Sequence, residues 1–84
     1  MKIAYLGSKP LGLSLLKALY TPADQWRILH PNDREDGRSC LAGFQDYADE
    51  KKLELDVPVD RSEADSMLES FRPDIAFVCG WYWL

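Results

Sequence analysis

Short apolar runs alternate along the chain with stretches in which apolar residues return every three or four positions. Lys2 to Leu6 (KIAYL) is such a run, closed by Gly7, and it predicts a buried strand. From Leu11 to Tyr20 the residues Leu15, Leu16 and Leu19 fall at helical spacing. Pro10 fits the first helical turn, where its missing N–H costs nothing. Thr21, Pro22 and Asp24 punctuate, and Trp26 to His30 (WRILH) reads as a second strand ended by Pro31-Asn32-Asp33. A polar loop containing Gly37 leads to a second helix from about Ser39 to Lys52, with Leu41, Phe44 and Ala48 on one face. Leu53 to Val57 alternates apolar and acidic residues, which predicts a short third strand closed by Pro58. Ser62 is the expected N-cap of a third helix, in which Ala64, Met67, Leu68 and Phe71 share a face. Arg72-Pro73-Asp74 stops it. Ile75 to Cys79 (IAFVC) is almost wholly apolar, the pattern of a central parallel strand covered on both faces.

Strand and helix alternate throughout, as in βαβ units with a parallel sheet and right-handed crossovers. The expected fold is therefore α/β, a Rossmann-like three-layer arrangement with strand order 3-2-1-4. The 84 residues allow one small domain at most. The sequence runs to Gly80-Trp81-Tyr82-Trp83-Leu84 directly after a central strand, a large apolar group that needs cover. The expectation is an incomplete half of a larger domain, which meets its missing half or itself through this aromatic stretch.

Composition narrows the classes. Hydrophobic residues at 46% and charged residues at 29% exclude a disordered chain. No apolar run approaches the roughly 18–20 residues that span a bilayer, and Gly7, Ser8, Lys9 and Pro10 interrupt the apolar core a signal peptide needs. A cytoplasmic location with no membrane partner is expected. The net charge of −4 offers no overall field for nucleic acid. Cys40 and Cys79 read as free core thiols, and His30 has no ligand partners at metal spacing.

In parallel α/β sheets, ligands bind at the carboxyl ends of the strands, beside the reversal of strand order. Three loops occupy such ends. Gly7-Ser8-Lys9-Pro10 is either a plain tight turn with a solvated Lys9, or an anion-binding helix start to which Lys9 adds charge. It lacks the spacing of GxGxxG and of the P-loop. His30 to Arg38 (HPNDREDGR) carries Asp33 near the position of a dinucleotide-binding domain's ribose acid, and Arg34 and Arg38 able to meet an anionic substrate. A solvated loop with internal ion pairs accounts for it equally, and His30 reads as a capped strand-end residue. Gly80-Trp81-Tyr82-Trp83 either walls a pocket for a planar ring or packs against further structure.

Three segments, KIAYLG-SKPLGLSLLKAL, HPNDREDGRS and RPDIAFVCGWYWL, resemble in order and spacing the formyltransferase family that includes methionyl-tRNA formyltransferase and the sugar N-formyltransferases. The middle segment is similar to the family's Pro, Asp, Arg and Gly-Arg stretch. The last resembles its Pro-Asp-apolar strand followed by Gly, an aromatic residue and an apolar run. The resemblance implies formyl transfer from N10-formyltetrahydrofolate to an amine. It implies cofactor contacts at Gly80, Trp81, Tyr82 and Leu84, and acceptor-side contacts at Ser8, Lys9, Arg34 and Arg38. The family's catalytic Asn, His and Asp lie beyond Leu84, so residues 1–84 hold no catalytic residue and are expected to be inactive alone. His30 is not in their motif. The opening Gly-Ser-Lys-Pro departs from the tRNA enzyme's usual Gly-Thr-Pro-Glu. With the acidic balance, this implies a small-molecule acceptor, an amino sugar or similar small amine, rather than tRNA. The alternative is a nucleotide-binding Rossmann-like module without catalysis, for which Asp33 and the first Gly loop speak.

Overall fold

The computed structural model describes residues 1–33 and 39–81. Seven elements follow in strict alternation: β1 (Lys2–Gly7), α1 (Lys9–Leu19), β2 (Gln25–Leu29), α2 (Leu41–Lys51), β3 (Glu54–Asp56), α3 (Arg61–Phe71) and β4 (Ile75–Cys79). All strand pairs are parallel and the order is β3-β2-β1-β4, so the α/β, Rossmann-like expectation holds.

The period-two alternation of β1 and β2 divides the core. Ile3 pairs with Trp26 and Tyr5 with Ile28. These four point to the face where Leu16 of α1 and Phe44 of α2 pack. Ala4, Leu6 and Leu29 point to the other face and meet Ala64 and Phe71 of α3 together with Trp81. Each layer thus has its own apolar filling, and the sheet is covered on both sides along β1 and β2. Small side chains let α1 come close: a Cβ on Gly12 would stand 3.0 Å from the Cys79 carbonyl oxygen. The Tyr5 hydroxyl crosses the same interface and donates to the Gly12 carbonyl at 2.6 Å. Burial, foremost, pushes its pKa well above the usual phenol value, so it remains a donor.

Three sequence expectations need correction. α1 begins at Lys9, because Ser8 is extended and Lys9 turns the chain with a left-handed φ of 68°. α3 is capped by Asp60 rather than Ser62: the Asp60 carboxylate accepts from the Glu63 N–H at 2.8 Å, and Ser62 lies inside the first turn. β4 is not covered on both faces among the described residues. Ile75 is 42% and Val78 50% exposed, and β4 has β1 as its one described neighbour. The opposite edge is guarded by charge. Arg27 of β2 reaches Glu54 and Asp56 of β3, and its Nε lies 3.0 Å from Asp56 Oδ2, an ion pair without the alignment of a hydrogen bond.

Candidate functional site

The carboxyl ends of β1, β2 and β4 bring together residues far apart in sequence. β1 runs out at Gly7 and β4 at Cys79, which are register partners. The Ser8 N–H donates to the Cys79 carbonyl at 3.1 Å, and the Ser8 hydroxyl donates to the Gly80 carbonyl. Ser8 is fully buried, so its side chain fastens the β1 loop to the β4 loop. Gly80 closes this junction with a φ of +80°, and a Cβ there would stand 2.5 Å from the Ser8 carbonyl oxygen. Only glycine fits both demands.

The second group gathers on Asp33. Its Oδ2 accepts from Lys9 Nζ at 3.2 Å and its Oδ1 from the Ser39 hydroxyl at 2.7 Å. The Asp33 side chain is 3% exposed and that of Lys9 21%. Beside them, His30 is wholly buried and packs edge-on against the Phe44 ring. His30 Nδ1 lies 2.7 Å from the Pro31 carbonyl oxygen. A carbonyl only accepts, so Nδ1 carries the proton and Nε2 presents a lone pair. That lone pair is buried and, among the described residues, has no hydrogen-bond partner. Burial is the strongest influence on the ring and holds its pKa below the usual imidazole value. The Pro31 carbonyl and Asp33 oppose this, and Lys9 reinforces it.

The sequence-derived residues divide accordingly. Ser8, Lys9, Gly80 and Trp81 all stand at the carboxyl ends of the strands. Trp81 is 8% exposed and its ring belongs to the core between the sheet and α3. Arg34, Arg38, Tyr82 and Leu84 lie outside the described residues. His30 and Ser39 enter the cluster through contacts that local pattern does not reveal. Each oxygen of Asp33 accepts one bond within the chain, from Lys9 and from Ser39. Among the described residues, no group of three His, Cys, Asp or Glu side chains is placed to hold a metal ion, and both cysteines are free. A groove of about 370 Å³, lined by Tyr20, Trp26, Lys52, Leu53 and Phe71 among others, lies at the opposite, amino end of the sheet. No described helix is long and apolar enough to cross a membrane.

The arrangement defines an α/β, Rossmann-like chain with a polar cluster at the carboxyl ends of parallel strands. Comparison with protein-family models, with curated proteins and with solved structures found no match.

Proposed function

We propose that residues 1–84 form the N-terminal part of a folate-dependent formyltransferase, which moves a formyl group from N10-formyltetrahydrofolate to the amine of an amino sugar or a similar small molecule. One observation carries this reading: the loop after β1 and the loop after β4 are fastened to each other through Ser8, Cys79 and Gly80. Transfer between two molecules needs both held against one another, since proximity supplies much of the rate. In this reading the Gly80–Trp81 loop serves the cofactor and the Ser8–Lys9 loop serves the acceptor. Lys9, steadied by Asp33, is the positive group on the acceptor side.

The attacking amine must lose a proton to a base, and the tetrahedral oxyanion needs placed donors. The resemblance assigns those tasks to an Asn, a His and an Asp that are not among residues 1–84. The 84-residue chain is therefore expected to give no turnover. The test is an assay of the complete gene product with N10-formyltetrahydrofolate and a panel of amino sugars, amino acids and initiator tRNA, reading release of tetrahydrofolate. Turnover with an amino sugar or another small amine supports the proposal. Turnover with tRNA alone corrects the acceptor, and no turnover with any amine overturns the reading. Activity of the purified 84-residue chain above a heat-treated control would refute the division of labour.

A further inference from the structure

The start of α2 is held indirectly. Cys40 occupies the N-cap position without a side-chain cap bond. Ser39 supplies the missing hydroxyl: its Oγ accepts from the Leu41 N–H at 3.4 Å and donates to Asp33 Oδ1 at 2.7 Å. The other Asp33 oxygen takes Lys9 Nζ, at the start of α1. One buried carboxylate thus links the first turns of two helices to the end of β2, and its charge lies near the positive end of α2. His30 Nδ1 stands 3.7 Å from the very oxygen that holds Ser39.

We propose that His30 and Asp33 form an acid-sensitive latch at the carboxyl ends of β1 and β2, in which a proton taken from solvent by His30 Nε2 draws Asp33 away from Ser39 and frees the first turn of α2. The proton has one place to go, because Nδ1 already donates to Pro31 and only Nε2 has a lone pair to offer. The imidazolium so formed is a buried cation. Among the described residues, the charged groups facing it are Lys9 from α1, which repels it, and Asp33, which attracts it. From β3 the Asp56 carbonyl accepts from the His30 N–H at 3.0 Å, its carboxylate being paired with Arg27, and α2 contributes the uncharged Phe44 ring. The nearest relief is for Asp33 Oδ1 to close the 3.7 Å gap to His30, a shift that lengthens its 2.7 Å bond from the Ser39 hydroxyl. Because burial lowers the affinity of His30 for the proton, the latch is shut at neutral pH and opens on the acid side.

Hydrogen exchange of the 84-residue chain, read by mass spectrometry at low concentration from about pH 8 to about pH 5, tests it. The start of α3 is the internal standard, since its cap comes from Asp60 and has no histidine beside it. The expected result is a loss of protection around Leu41–Phe44 relative to Glu63–Ala64, reaching about tenfold at the acid end. His30→Phe should hold that ratio constant, with His30→Gln as a second variant if the ring substitution does not fold. Asp33→Ala should lower protection of the α2 start at every pH. A constant ratio in the unaltered chain, an unchanged acid loss in the His30 variants, or full protection in Asp33→Ala would each overturn the latch.

Discussion

A wholly buried imidazole has to settle its protonation state before the chain folds around it, and that makes His30 the residue with the most legible solution behaviour. Its folded-state pKa lies below the ordinary value of 6.5. The unfolded chain therefore binds more protons than the folded one in the window just below 6.5. Stability should be full above that value, fall as the pH drops through the window, and level off below the folded-state pKa. Urea midpoints measured across this range should show the loss, and His30→Phe should remove its histidine component. Gly80 makes a second prediction at this scale. Ala there would carry a left-handed φ costing about 1–2 kcal/mol, with its Cβ pressed on the Ser8 backbone. Gly80→Ala should lower the urea midpoint by more than the φ cost alone, and a midpoint unchanged from the parent would contradict the geometry. The role of His30 was not advertised in the sequence, where it read as a strand-end residue. For Asp33 the sequence offered a ribose-acid position or a loop with internal ion pairs; its partner Lys9 lies 24 positions away, and no local pattern records such a pairing.

Elements were far more legible than their ends. Hydrophobic period, together with the length of the apolar runs and the Gly and Pro that bound them, separates the three described helices from the four described strands. Ends depend on single hydrogen bonds. Asp60 and Glu63 have the spacing of a capping box, so the signal for the true start of α3 was present beside Ser62. Asp60→Ala should cost about 1 kcal/mol, while Ser62→Ala should cost much less, because Ser62 caps nothing. Thermal denaturation of the two variants separates them, and equal losses would restore Ser62 as the cap. The apolar run Ile75–Cys79 misled for a different reason. Composition reports what a strand tolerates on its faces, and coverage is decided by elements elsewhere in the chain.

At the scale of the whole molecule, the two sheet edges are unequal. β3 shows Glu54 to its surroundings and holds a half-buried Asp56 against Arg27, charges of the kind that discourage pairing with another strand. β4 shows Ile75 and Val78 and carries no charge between Ile75 and Cys79. The 84-residue chain should therefore associate through β4, its mass by light scattering rising with concentration. Val78→Lys should return it toward a monomer, and a chain that stays monomeric without that substitution would show that the edge is closed by other means. Self-association is the expectation drawn from the aromatic stretch, here attached to a particular strand.

The parallel pairing of β1 with β4 has a further consequence in time. Of the four described strands, the central β1 is made first and its neighbour β4 last, 72 residues later. At roughly 5–20 residues per second, β1 waits several seconds with one flank open while β2 and β3 are already available to it. Closing so long a loop is slow relative to local helix formation, and its entropy is repaid only when the register Ile3 to Ile75 is found. The Ser8–Gly80 fastening forms at the end of that search. The junction that joins the two candidate ligand loops is thus also the last closure of this four-stranded sheet.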